Sequence, residues 1–133
     1  MDCKHVFIVD DDVDIRDSFM EALTIEGFSV GSAIHGQDAL DQLHAMTTEQ
    51  LPGCIFLDLK MPIMDGMAFL ETVKGDLESS IALIPIVVVS ANGSLHNIDL
   101  KPAIETLAKP FDLNEIYRLA HHFCGYPVGG FLH

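Results

Sequence analysis

The sequence predicts an α/β fold, a parallel sheet with helices wound on both of its faces. Short, continuous apolar runs rich in β-branched residues alternate along the chain with segments whose apolar residues recur at helical spacing. Each apolar run stops abruptly, at an acid, a hydroxyl or a turn. The length of 133 residues suits one hydrophobic core, and 49% apolar with 20% charged residues is a globular balance rather than a disordered one.

Taken in order, His5 to Val9 is β-branched and aromatic and ends at a block of aspartates, as a buried strand would. From Val13 to Glu26, Ile15, Phe19, Ala22 and Leu23 recur at helical spacing, and Gly27 stands where a C-terminal cap belongs. Phe28 to Ala33 reads as a second strand. Gly36 precedes a second helix in which Leu40, Leu43 and Met46 share a face, and Pro52-Gly53 is a turn. Cys54 to Leu57 is again a short apolar run, ending at Asp58. Met67, Leu70 and Val73 mark a third helix. Ile86 to Val89, bounded by Pro85 and Ser90, is the clearest strand; Glu105 to Ala108 is a weaker fifth, and Leu113 to Phe123 closes the domain as a helix. Residues 93–102 carry Gly, Asn and Asp and stop at Pro102, so a helix there is expected to be short or irregular.

Charge excludes several classes of function. Twenty acidic against 7 basic residues give a net charge of −13, which disfavours direct nucleic-acid binding and adhesion to anionic membranes, since both need a basic surface. No apolar run reaches the roughly 18 residues of a membrane span. The four apolar residues Val6 to Val9 that follow Met1 to His5 are too few for a signal peptide. Three widely separated cysteines, Cys3, Cys54 and Cys124, lack metal-ligand spacing, and reduced thiols in a cytoplasmic protein are expected.

In parallel sheets, functional groups collect beyond the carboxyl ends of the strands. Asp10 and Asp11 end the first strand, Asp58 the third, Ser90 the fourth, and Lys109 follows the fifth. Three carboxylates about 4–6 Å apart repel by roughly 1–4 kcal/mol per pair, and either a cation or raised pKa values would compensate. Mg²⁺ is the hard, oxygen-seeking partner such a cluster suits. With Lys109 and the Ser90 hydroxyl, the edge could hold a phosphoryl group during in-line transfer. Asp58, flanked by apolar residues, is the candidate nucleophile and would form an acyl phosphate.

Val9-Asp10-Asp11-Asp12, the stretch Phe56 to Gly66 (FLDLKMPIMDG), Val89-Ser90-Ala91-Asn92 and Lys109-Pro110-Phe111 together resemble the receiver domain of two-component response regulators, of the stand-alone, chemotaxis-regulator-like kind. The resemblance runs from about Lys4 to Phe123. It implies a doubly wound, flavodoxin-like three-layer sandwich with strand order 2-1-3-4-5, a domain over residues 1–124 and a tail over 125–133. It also implies phosphorylation at Asp58, with Asp11 touching Mg²⁺ directly, Asp10 largely through water, and the Lys60 carbonyl completing the shell. Ser90 matches the switch hydroxyl, Lys109 the lysine that pairs with the phosphoryl group, and Pro110 a proline after a cis bond. The implied partners are a sensor histidine kinase or histidine phosphotransfer protein and an unidentified downstream protein. The implied activity is a self-modifying switch rather than a multiple-turnover enzyme.

Departures from the pattern qualify these expectations. Thr106 stands where the family has a rotating aromatic, and Ser90 to Lys109 is about three residues shorter than usual. After the closing helix come nine residues, too few for a DNA-binding module, so a complete chain would act through a protein partner or a relay. A pseudo-receiver, an interaction module that is never phosphorylated, is the alternative; intact acids, Ser90 and Lys109 argue against it. A flavin carrier would need a Gly- or Ser-rich phosphate loop after the first strand, where three aspartates stand. An EF-hand through Asp10, Asp12, Asp14 and Glu21 fails at Ile15, where the sharp turn needs Gly. His121 and His122 point about 100° apart on a helix and do not chelate together.

Overall fold

Five parallel strands pair in the order β2-β1-β3-β4-β5 in the computed structural model, which describes residues 5–59, 63–76, 79–91, 103, 105–109 and 111–125, with backbone alone at Ala91 and Lys109. The strands are β1 (Val6–Val9), β2 (Val30–Ala33), β3 (Cys54–Asp58), β4 (Ile86–Ala91) and β5 (Glu105–Lys109). The helices are α1 (Val13–Ile25), α2 (Gly36–His44), α3 (Gly66–Gly75) and α4 (Leu113–Cys124). This is the expected order and the expected sandwich.

Alternation along the strands divides the core into two layers. Phe7, Val9, Ile55, Leu57, Ile86 and Val88 pack with Leu40 and Leu43 of α2 and Phe69, Leu70 and Val73 of α3. Val6, Ile8, Phe56, Val87 and Val89 point the other way, onto Phe19 and Leu23 of α1 and Ile116 and Leu119 of α4. Fully burying each such side chain is worth about 1.5–3 kcal/mol, so a one-residue slip of any central strand would exchange the two layers at prohibitive cost.

Local signals set the helix ends. The Asp12 carboxylate accepts from the Asp14 and Ile15 amides and starts α1. Gly27, at φ 101°, ends it: its N–H donates to the Thr24 carbonyl and that of Phe28 to the Leu23 carbonyl, the paired bonds of a Schellman cap. Phe28 therefore belongs to this cap, and β2 starts at Val30 rather than at Phe28. Met46 lies beyond the end of α2, yet still packs against the core. Two short 3₁₀ turns, Thr48–Gln50 and Ser80–Leu83, have no counterpart in the sequence reading.

The expectation of three reduced cysteines is corrected at one position. Cys124 is disulfide-bonded, whereas Cys54 is free and buried. The irregular helix expected over 93–102 lies outside the described residues, as do Lys60, Asn92 and Pro110. Among the described residues, no helix is long and apolar enough to cross a membrane.

Candidate functional site

Strand register assembles the site. Val9 pairs with Leu57, so Asp10 and Asp58 follow side by side at the carboxyl edge. Asp58 pairs with Val89, which puts Ser90 next along β4; Ser90 pairs with Ala108 and Ala91 with Lys109. The carboxylates of Asp10, Asp11 and Asp58 offer oxygen atoms within 4.8 Å of one another. Asp10 is 3% exposed, Asp58 8% and Ser90 5%, while Asp11 is exposed to solvent. Of the residues the sequence singles out, the register gathers Asp10, Asp11, Asp58, Ser90 and the Lys109 backbone on one edge. The Lys109 side chain and all of Lys60 lie outside the description.

Backbone contacts hold the acids in place. The Asp10 N–H donates to the Ala33 carbonyl at 3.1 Å, and its Oδ1 accepts the Asp12 N–H at 2.9 Å. Arg16, one turn into α1, donates from Nη1 to the Asp10 carbonyl at 2.9 Å. Arg16 was not among the residues singled out from the sequence; its spacing of six from Asp10 announces nothing until α1 turns back over the strand end.

Gly66 fixes the other side. Its N–H donates to the Leu59 carbonyl at 2.9 Å. A Cβ there would overlap the Asp58 carbonyl oxygen and lie 2.7 Å from the Leu59 Cα. Only glycine lets α3 start so close to the end of β3. Asp65 caps that helix by accepting the Ala68 N–H at 2.9 Å. Between these points Ile63 takes a left-handed φ of 65° and is 82% exposed.

Three hard carboxylate oxygens converging at a buried strand end fit a divalent cation such as Mg²⁺ better than a soft metal. Thr106 lies exposed on β5, its N–H donating to Glu105 Oε1. Asp12 and Asp14 serve the start of α1 rather than a calcium loop. His121 faces Glu26 at 3.4 Å and His122 meets Phe123 edge to face, so the adjacent histidines do diverge.

Residues 6–121 match the family model of the response regulator receiver domain. The chain belongs to that family. This receiver domain is 34% identical over 116 residues to the sporulation initiation phosphotransferase F of Bacillus subtilis, covering 85% of this chain and 87% of that protein. It is 33% identical over 117 residues to the transcriptional regulatory protein PrrA of Mycobacterium tuberculosis, of whose length it spans 46%. Of the regulator NtrC of Proteus hauseri, 32% identical, it spans 23%. Among solved structures, the receiver domain protein (CheY-like) of Methanospirillum hungatei superposes with a TM-score of 0.73 at 28% identity, covering 92% of this chain and 94% of that one. CheY4 of Vibrio cholerae shares the fold at a TM-score of 0.77 and 23% identity, over 91% of this chain and 98% of that one. As a receiver domain it is a component of two-component signalling, a family that works with histidine kinases and phosphotransfer proteins.

Proposed function

We propose that this receiver domain accepts a phosphoryl group on Asp58 from the phosphohistidine of a sensor kinase or phosphotransfer protein. An Asp58 carboxylate oxygen attacks phosphorus in line; the P–N bond breaks as the P–O bond forms, and the imidazole leaves with its electron pair. Asp10, Asp11, Asp58 and the Lys60 carbonyl are the residues that would hold Mg²⁺. Such a cation, when bound, offsets charge among the carboxylates and on the transferring phosphoryl oxygens. Burial of Asp10 and Asp58 excludes much of the competing water. Ser90 would turn its hydroxyl toward the new phosphoryl oxygens, and Lys109 would supply the fixed positive charge beside them. Hydrolysis of the acyl phosphate resets the switch.

The observation that carries this reading is the convergence of three carboxylates within 4.8 Å, two of them buried, at the ends of adjacent strands. A fold retains such repulsion where a bound cation relieves it. The same reading assigns residues 1–124 to the receiver domain and 125–133 to a tail, places the protein in the cytoplasm, and sends its signal to a downstream protein.

Intact-mass spectrometry after incubation with Mg²⁺ and acetyl phosphate tests it. One added phosphoryl group is expected, absent in Asp58→Asn and after EDTA. If no adduct forms where another receiver labels, and a beryllofluoride phosphoryl mimic also fails to bind, the domain works instead as a phosphorylation-independent interaction module.

A further inference from the structure

Asp11 is the exposed carboxylate of the acid cluster, yet its oxygen comes within 4.8 Å of those of the buried Asp10 and Asp58. Among the described residues, no hydrogen bond or ion pair holds the Asp11 side chain itself, so its direction comes from the backbone. We propose that Arg16 is a positioning residue of this site: by holding the Asp10 carbonyl it fixes the peptide leading into Asp11, and so aims the Asp11 carboxylate toward Asp10 and Asp58, where Mg²⁺ would be held. The proposal deepens the phosphoryl-acceptor reading above and rests on it.

A peptide unit is planar, so the Asp10 carbonyl and the Asp11 N–H turn together. Arg16 Nη1 donates to that carbonyl at 2.9 Å and holds the plane ahead of the Asp11 Cα. The plane after it carries the Asp12 N–H, which donates to Asp10 Oδ1 at 2.9 Å. With both flanking planes held, the two backbone dihedrals of Asp11 are set, and the direction of its Cβ follows. Asp10 is itself anchored to β2, through its N–H to the Ala33 carbonyl at 3.1 Å. Remove the arginine and the first plane is free to rock about an otherwise fixed turn.

Arg16 can reach because α1 turns back over the end of β1. Its own N–H donates to the Asp12 carbonyl at 2.9 Å, in the first turn of a helix that the Asp12 carboxylate caps. The guanidinium makes the bond a charge-assisted one, about twice as strong as a neutral bond, and its half-buried position keeps it partly out of water. Residues that orient metal ligands, without touching the metal, typically account for about 10–100-fold in metal affinity. Loss of Arg16 therefore weakens Mg²⁺ binding. In a filled site the Asp11 carboxylate is held by its own bond to the ligand, so the rate at saturating Mg²⁺ changes little.

The test compares full-length wild type with Arg16→Met, Arg16→Lys, Asp11→Asn and the double variant Arg16→Met with Asp11→Asn. Calorimetric titration gives the Mg²⁺ Kd, mass increase with acetyl phosphate across a Mg²⁺ series gives the uptake rate, and ¹H–¹⁵N NMR in EDTA reads the Asp11 amide, which shares its peptide with the Asp10 carbonyl. Methionine keeps the apolar stem and removes the donors. Expected for Arg16→Met are a Kd about 10-fold higher, an uptake rate that nears wild type at saturating Mg²⁺, and a displaced Asp11 amide signal in the metal-free protein. Lysine keeps a charged donor but not the planar fork, and its Kd should lie between the two. In the Asp11→Asn background Arg16→Met should add little, because the arginine acts through that carboxylate. An unchanged Kd, or a loss of equal size in both backgrounds, would overturn the proposal, even if Arg16→Met unfolds at a lower temperature. If Arg16→Met does not fold, Arg16→Lys decides, and a Kd and amide signal equal to wild type overturn it. Wild type that neither binds Mg²⁺ nor gains a phosphoryl group would instead bring down the acceptor reading on which the proposal stands.

Discussion

The backbone N–H of Gly36, the first residue of α2, donates to the carbonyl oxygen of Met64 at 2.8 Å. This one bond joins the turn after β2 to the loop that runs on from Asp58. A Cβ on residue 36 would lie 2.7 Å from the Met64 Cγ and 2.8 Å from that carbonyl. The side chain can swing away, but the carbonyl belongs to backbone and cannot move without the loop. Gly36→Ala is therefore expected to destabilise the domain by about 1–3 kcal/mol, as overpacking does. It should also slow phosphoryl uptake at Asp58, read as the rate of mass increase with acetyl phosphate; an unchanged rate would separate the clamp from the site.

Ile63 stores strain in the same loop. A β-branched residue at φ 65° is a true outlier, and here 82% of the side chain is exposed, so little packing offsets it. Ile63→Gly relieves the strain while loosening the unfolded chain. A net gain of about 1 kcal/mol is expected, read from urea unfolding midpoints at constant m-value. A loss would mean that the isoleucine side chain holds the loop through contacts of its own.

Removing one negative charge from the acid cluster should act in opposite directions with and without a cation. Asp11 is the exposed member. In EDTA, Asp11→Asn is expected to melt above wild type by a few degrees, about 1–4 °C, because a like-charge repulsion is lost. Saturating Mg²⁺ should then reverse the order, since binding at a hundred times Kd adds about 2.7 kcal/mol to the wild type and little to the variant. Two melting series suffice, and parallel shifts in both proteins would place the cation elsewhere.

A buried thiol and a half-buried imidazole set pH limits of opposite sign. Burial raises the Cys54 thiol from 9.0 to about 12. The unfolded chain gives up that proton first, so stability is complete below about pH 9 and is lost between there and about 12. Desolvation lowers His5 from 6.5, so the folded state favours neutral imidazole. Its contribution is present above pH 6.5 and is lost as pH falls toward the lowered value. Urea unfolding as a function of pH checks both: Cys54→Ala should flatten the alkaline limb, and His5→Asn the acid one.

Element order and the edge carrying the acids are legible because each depends on a short-range pattern, whereas the sheet order is legible only through the resemblance to receiver domains. Continuous apolar runs announce buried parallel strands, and an acid at the end of each run falls on one edge whatever the loops do. Asp10, Asp11, Asp58 and Ser90 could be placed without knowing a single contact. What could not be read depends on two segments meeting. Nothing in the spacing of Gly36 and Met64 says that their backbones bond, and Arg16 reaches the Asp10 carbonyl only because α1 folds back. Phe28 reads as the start of a strand from the run it opens, yet its N–H closes a helix cap. The bond at Cys124 is hidden for the same reason: an odd count and wide spacing say nothing of which cysteines a fold brings together, while Cys54 is free as expected.

The first and last described elements meet on the edge of the sheet away from the acids, where Cys124 sits beside His5. The strands between are four to six residues long, so about 13–20 Å separates that junction from the carboxylates. A reporter protein joined directly ahead of His5 or directly after Gly125 would thus leave from the edge opposite Asp58. The same proximity makes the domain a good subject for circular permutation: a short linker could join Gly125 to His5, and the chain could be reopened at a surface turn such as Thr48–Gln50.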